Sequence, residues 1–280
     1  MLKKLIKYEW KGLIFPFVIM LIVLAGTTLL TCAVLLTINP KYDESVQVYS
    51  AMALMLSIFL YYFGMIGCTL GTTLIIAIRF YKTCYTDQGY LTHTLPVTTH
   101  QILIAKIAIA FFVNILMALA ILFSVFIIIQ VGILHITSFY TDSPELKWIF
   151  KDMFSIVLNE FSNVFGIHLP SFLIYMILYS IISEIANVVI IFGCISLGQL
   201  YAKHRILGAI ASYFIVLFIE QIFGWFTSVP ISARVLSAKY TTVFDILSPT
   251  MNLSLLFIVM LAVFMYFANI HMMTKKLNLE

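Results

Sequence analysis

The sequence predicts an all-α integral membrane protein with six transmembrane helices and both termini in the cytosol. Three observations carry that expectation. First, 62% of the 280 residues are apolar and only 10% are charged, against about 45–50% and 25% in a soluble domain. The mean hydropathy is +1.08. A soluble fold of this size would leave a large apolar remainder facing water. That excludes a soluble globular enzyme, a disordered chain and a nucleic-acid-binding module. Second, six apolar runs fall at about 13–38, 51–78, 102–134, 169–200, 206–229 and 251–272, each at or beyond the roughly 20 residues a spanning helix needs. Third, the 16 Lys and Arg are unevenly shared between the two sides. Lys3, Lys4, Lys7, Lys11, Arg79, Lys82, Lys106, Lys203, Arg205, Lys275 and Lys276 fall on the side of the termini. Lys41, Lys147, Lys151, Arg234 and Lys239 fall on the other. Positive charge is retained inside, so the termini are cytosolic. The whole of 1–280 reads as one transmembrane domain.

At the N-terminus, Leu2, Leu5, Ile6, Trp10 and Leu13 share one helical face and Lys3, Lys4, Lys7 and Lys11 the opposite one. This predicts an amphipathic helix over 1–12 lying on the inner leaflet, with Trp10 at headgroup depth. Glu9 breaks the pattern by projecting near the apolar face. The helix is a positive-inside anchor, or an elbow that also touches a cytosolic partner through Glu9. Pro16 is expected to separate it from the first span, because proline interrupts the hydrogen-bond ladder. The apolar run that follows is longer than a signal-peptide core of about 7–15 residues, so the first span is expected to remain uncleaved.

Residues 39–50 form a short outer loop. Span two carries Gly64, Gly67 and Gly71, and a Gly-x-x-x-Gly face allows close helix approach. The cytosolic loop 79–101 is unusually aromatic: Tyr81, Tyr85, Tyr90, Leu91 and Leu95 are expected either to sit in the headgroup interface or to dock into another protein. Thr86 or Asp87 can cap a short helix there. Pro96 ends it, and Thr98 or Thr99 caps span three. A short helix at the tip of two long spans is a natural lever. The outer segment 135–168 holds Asp142-Ser143-Pro144-Glu145, a helix start, and then an amphipathic stretch. Pro230 and Pro249 bound a segment expected to form a short re-entrant hairpin.

The chemistry is sparse. The chain has no phosphate-cradling Gly-x-x-x-x-Gly-Lys-Ser/Thr run, no His-Glu-x-x-His and no Gly-x-Ser-x-Gly elbow, so no catalytic residue and no cofactor of its own is expected. His93, His100, Cys84 and Asp87 match no metal-ligand spacing, and no metal site is expected. Cys32, Cys68 and Cys194 lie in apolar runs, and no Cys-x-x-Cys occurs. Two acids stand inside the spans. Glu184, with Ser183 and Asn187 nearby, lies near the middle of span four. Glu220 lies toward the outer end of span five. An intramembrane carboxylate marks a transport path or a proton site, or else an interhelical packing bond.

The loop sequence Tyr85-Thr-Asp-Gln-Gly-Tyr-Leu-Thr-His-Thr-Leu-Pro-Val97, followed by Gln101-Ile-Leu-Ile-Ala-Lys106, resembles the segment between spans two and three of bacterial type-2 ABC transporter permeases. There an acidic residue and a small turn residue precede a Leu-Pro-Val or Leu-Pro-Leu step, and a Lys marks the start of span three. Lys7-Tyr-Glu-Trp-Lys11 resembles the family's interfacial helix, which would place Glu9 and Trp10 in it. The motif match covers about a tenth of the chain, and the six-span layout covers all of it. The resemblance implies a permease subunit of an ATP-driven exporter in the bacterial cytoplasmic membrane. It implies two permease copies, or this chain with a related permease, and cytosolic ABC ATPase subunits that hold ATP and Mg. Thr86, Asp87, Gln88, Gly89, Tyr90, Leu91 and Thr92 would form the coupling helix that docks in the ATPase. The cargo would be an antimicrobial peptide, a drug or a lipid-like molecule, with Glu184, Asn187 and Glu220 on its path or gate. The resemblance also implies re-entrant outer helices between spans five and six. The competing expectation is a proton-coupled secondary transporter that uses Glu184 and Glu220. The expected contacts are therefore lipid and protein, with no nucleic acid.

Overall fold

A computed structural model describes residues 2–38, 43–86, 88–89, 97–139, 158–201, 204–236 and 242–275. These form six long helices: α1 (Leu2–Leu36), α2 (Glu44–Tyr85), α3 (Thr99–Phe139), α4 (Leu169–Gly198), α5 (Arg205–Leu236) and α6 (Val243–Lys275). A short helical stretch at 158–165 precedes α4, and the described residues include no strand. Each long helix is apolar and long enough to cross a bilayer, so the chain is a multi-pass membrane protein. At about 1.5 Å per residue the 42 residues of α2 extend roughly 63 Å, twice the ~30 Å hydrocarbon core. Both α2 and α3 therefore reach well past the apolar layer.

The chain divides into two compact units. The first comprises Met1–Arg79 and Ala108–Lys147, and the second Phe80–Ile107 and Trp148–Glu280. In the first unit, α1 buries the stripe Glu9, Leu13, Phe17, Leu24, Thr28 and Thr31, spaced so that one helical face is used throughout. Gly64 and Gly71 on α2 meet Thr27 and Met20 of α1, whereas a side chain at Gly67 would meet nothing within 4 Å. The close approach thus uses residues seven apart, two full turns, instead of the 67/71 pair. Polar groups join the helices at intervals: Thr31 Oγ1 donates to the Ser57 carbonyl (3.3 Å), and Tyr61 Oη and Ser124 Oγ are 2.6 Å apart.

In the second unit, α4, α5 and α6 pack mutually. Their core joins Ala186, Val189, Ile190 and Cys194 of α4 with Val216 of α5 and Ala262 and Met265 of α6. Gly193 lets Met265 in, and Gly198 lets the Ala209 backbone approach α4. At the far end, Phe161 and Phe165 stack (4.2 Å) and Phe172 meets both edge-on or tilted.

Several expectations change. The helix of 1–12 is not separated at Pro16: α1 is continuous, with Pro16 inside it. Proline removes one donor, the one that would reach the Gly12 carbonyl four residues earlier, and the apolar face on either side keeps the helix packed. The hairpin expected over 230–249 is taken up at both ends by long helices. The α5 backbone is helical to Leu236 and α6 begins at Val243, while 237–241 lie outside the described residues. Thr242 starts α6, its Oγ1 accepting from the Asp245 amide (3.4 Å) and donating to the Asp245 carboxylate (2.7 Å). Pro249 is then accommodated inside α6. Of the outer segment, 158–165 is helical and ends at Gly166, whose φ of 72° suits a residue without Cβ. Its expected start at Asp142 lies outside the described residues.

Candidate functional site

The connection between α2 and α3 is anchored in the second unit by a dense set of side chains. Phe80, Thr83, Cys84 and Tyr85 at the end of α2, and Ile102, Leu103, Ala105 and Lys106 at the start of α3, are all buried. Phe80 stacks on Phe192 of α4 with centroids 4.0 Å apart, a contact worth about 0.5–1.5 kcal/mol beyond area burial. Lys106 Nζ donates to Thr83 Oγ1, which pins the first turns of α3 to the last turn of α2. The lysine that marks the start of span three is thus an internal fastener.

Tyr85 carries this anchor into the helical core. It is buried, although the sequence places it among aromatics facing the headgroups, because α2 continues through it and turns it inward. Its Oη donates to Ser196 Oγ on α4 (2.7 Å). Ser196 Oγ in turn lies 3.0 Å from the Phe192 carbonyl and 2.8 Å from Asn269 Oδ1 on α6. One hydroxyl proton serves these two acceptors, so the three side chains form one chain of polar contacts across three helices. Ser196 and Asn269 are fully buried, and Asn269 Nδ2 has no hydrogen-bond partner among the described residues. A polar chain in a dry core is worth most when every group is satisfied, so that amide half is its weak link. Beside it, His100 Nδ1 and Tyr266 Oη are 3.2 Å apart, joining α3 to α6.

The start of α3 is a reciprocal cap. The Gln101 amide donates to Thr98 Oγ1 (3.4 Å) and the Thr98 amide to Gln101 Oε1 (3.3 Å). This is the Thr-x-x-Gln form of the capping box, and it selects Thr98 over Thr99. Across the connection, Thr86 Oγ1 donates to the Lys82 carbonyl (2.6 Å) and the Gly89 amide to the Thr86 carbonyl (2.6 Å). The turn at Thr86–Gly89 therefore leads straight off α2, with Gly89 buried and Gln88 exposed. Asp87, Tyr90, Leu91 and Thr92 lie outside the described residues.

The intramembrane acids occupy different settings. Glu184 is half-buried and Asn187 exposed, one turn apart on α4. They continue a polar line up the helix. Tyr175 Oη donates to Asn252 Oδ1 (2.9 Å), and Tyr179 Oη lies 3.3 Å from Ser254 Oγ, both partners on α6. Spacings of about four keep Tyr175, Tyr179, Ser183 and Asn187 on neighbouring faces. Glu220 is half-buried midway along α5, in the second half of the apolar stretch Arg205–Val229. It lies within electrostatic range of Cys194 and Tyr213. Glu184 and Asn187 thus stand on α4 and Glu220 on α5.

Glu9 and Trp10 are engaged inside the first unit. Glu9 is buried and pairs with Arg79 Nε at 3.0 Å, so its break in the amphipathic pattern has an internal explanation. Trp10 meets Phe112 of α3 edge-on at 5.4 Å. Among the described residues, no three His, Cys, Asp or Glu converge as a metal site, and none of the four cysteines forms a disulfide. Sequence reasoning missed Ser196 and Asn269. The available signal was a polar side chain inside an apolar run, which in a membrane helix usually faces another helix.

No protein-family model, no curated protein and no solved structure matches this chain.

Proposed function

We propose that the chain is the permease subunit of an ATP-driven ABC exporter in a bacterial cytoplasmic membrane, with both termini cytosolic. One observation carries the proposal beyond the sequence resemblance. The connection from Thr86 to Thr98 is rooted in the best-packed part of the second unit, through Phe80–Phe192, Thr83–Lys106 and Tyr85–Ser196–Asn269. A solvent loop needs no such root. A loop through which a partner does mechanical work needs one, because force must reach several helices together. In this reading Thr86 to Thr92 form the coupling helix, and Asp87, Gly89, Tyr90 and Leu91 dock in the ATPase. ATP and Mg belong to that partner, and the chain is not itself an enzyme. A second copy or a related permease completes the pathway. Asn187, exposed on an apolar helix, supports such a polar path on α4, since an amide facing lipid alone is costly. The cargo class is an amphipathic molecule: a peptide, a drug or a lipid.

The test is co-expression with the ATPase encoded beside the gene, purification through a tag on this chain, and measurement of vanadate-sensitive ATP hydrolysis. A stable complex is expected, with hydrolysis lowered by Asp87→Ala or Tyr90→Ala while the variants remain folded. A chain that purifies alone, and whose transport collapses with the proton gradient, would replace this reading with a secondary transporter using Glu184 and Glu220.

A further inference from the structure

Arg79 is the last residue of the first unit, and Phe80, stacked on Phe192, is the first of the second. The chain crosses between units there within one uninterrupted helix, α2. Arg79 therefore stands one residue before the root of the loop on the same helix. Three features of α1 converge on it. Glu9, buried, accepts from Arg79 Nε. Gly12, one turn further along α1, has no side chain, and any Cβ there would overlap the Arg79 guanidinium. Pro16, four residues on again, supplies no N–H to the Gly12 carbonyl, so the helical ladder of α1 lacks one bond in the turn that follows the guanidinium. The Arg79 Nε–Glu9 Oε2 pair is a 3.0 Å salt bridge that is largely shielded from solvent on the Glu9 side. A guanidinium is planar and always charged, so it can hold a carboxylate while lying flat on a bare stretch of backbone.

We propose that Arg79, clamped by Glu9 over Gly12, is a positioning residue that transmits movement of the α2–α3 connection to α1. The transmission rests on the exporter reading above, whereas the clamp itself does not. Movement of the loop displaces Phe80–Tyr85, and α2 carries the displacement one residue further to Arg79. The clamp then passes it to the first three turns of α1, which would otherwise slide past α2. Gly12 is required because alanine there must push the guanidinium aside. That displacement is easy for a flexible side chain, so the fold survives it.

Amide hydrogen exchange on the full chain in nanodiscs tests the clamp without any partner. Alanine is a better helix former than glycine, so Gly12→Ala alone should slow exchange over residues 5–15. If the clamp holds α1, the same substitution quickens exchange there instead, by up to about fivefold, the range for a partly exposed pair. Glu9→Gln, which keeps the side-chain shape and removes its charge, should do the same. With Glu9→Gln already present, Gly12→Ala should revert to slowing exchange, since no pair remains to break. Slower exchange in the single Gly12→Ala variant overturns the proposal. The second arm uses the complex with its ATPase, nucleotide-free and trapped with ATP and vanadate. In the unmodified chain, trapping should change exchange at both 80–85 and 5–15. In Gly12→Ala the change at 80–85 should persist while that at 5–15 is lost. Persistence of both changes overturns the transmission role. Failure of the unmodified chain to form a complex overturns the exporter reading and the transmission with it, while the first arm still decides whether the clamp exists.

Discussion

Replacing Ser196 by alanine should destabilise the chain more than removing either of the groups bonded to it. Ser196 is the middle of the Tyr85–Ser196–Asn269 contact chain, and all three side chains are buried. Ser196→Ala leaves the Tyr85 hydroxyl and the Asn269 amide oxygen without a partner. Each abandoned buried group costs about 1–3 kcal/mol, so the two together cost about 2–6 kcal/mol. Tyr85→Phe removes one bond and leaves Ser196 both of its acceptors. Interhelical bonds in membranes average about 0.6 kcal/mol, so Tyr85→Phe should cost under about 1 kcal/mol. Asn269→Leu behaves differently again. It gives up one shared bond, but it also removes an amide nitrogen that is buried without a partner among the described residues, and the volumes are similar. Deleting a half-satisfied polar group is close to neutral, so this change at a fully buried position should stay within about 1 kcal/mol of the unmodified chain. Unfolding by SDS titration in mixed micelles gives the three free energies. The expected order is Ser196→Ala well above Tyr85→Phe, with Asn269→Leu near zero. Asn269→Leu costing as much as Ser196→Ala would refute the accounting, because it would mean that the amide is fully satisfied and central.

Other consequences follow from single contacts. Gly198→Ala should abolish folded yield on size-exclusion chromatography, since its Cβ would collide with the Ala209 backbone, which cannot swing aside. Gly67→Ala should be neutral or slightly stabilising, because the site is open and alanine favours the helix; equal losses at the two sites would contradict the packing. Thr98→Ala should lose the reciprocal cap, destabilising the start of α3 by about 1 kcal/mol, read as faster amide exchange over 98–104, and Thr98→Ser should restore protection. Tyr61→Phe and Ser124→Ala remove the same 2.6 Å contact, so the double variant should unfold no earlier than the worse single one.

What could be read from the sequence depended on whether a signal was local. Run length locates all six long helices, because a bilayer imposes one length on every span. Run length also shows that some helices exceed the bilayer and project or tilt, but not what their ends pack against: nothing in 79–85 distinguishes a helix continuing into a packed core from a helix entering a loop, so Tyr85 reads as interfacial or docking instead of buried. Thr98 and Thr99 were both acceptable caps until Gln101 reached back to one of them. Pro16 and Pro249 read as breaks because proline removes a local bond, yet packing along the whole helix outweighs one lost donor in α1 and α6. Glu9 was visible as an anomaly, but its partner lies seventy residues away. Ser196 and Asn269 gave only the sign that a polar group sits in an apolar run, and which helix each one faces is a tertiary fact.

The distribution of packing along α4 ties the candidate site to the proposed mechanism. The most apolar window of α4 is 61% buried, against 11–22% for the corresponding windows of the other spans, so α4 is the helix around which the second unit is built. That burial is confined to Ala186–Gly198. From Leu173 to Ile185 the apolar side chains are largely exposed, and α4 meets α6 there through contacts that include the Tyr175 and Tyr179 hydroxyls and the Tyr175 ring against Phe244. The tight half is the one that holds Phe80, Tyr85, Ser196 and Asn269 at the root of the α2–α3 connection. Close-packed interiors move as bodies and do not stretch. A displacement applied at the root would therefore be carried whole through the lower half of α4. It would have to be absorbed where packing thins, and Glu184 and Asn187 stand at that border. Under the proposed function, the polar groups that line a path would thus sit where the helices are free to part, and the groups that receive the force sit where they are not. A substitution that extends the tight core upward, such as Ser183→Leu, should then leave ATP hydrolysis of the complex intact and suppress transport. Loss of both together would place the moving boundary elsewhere.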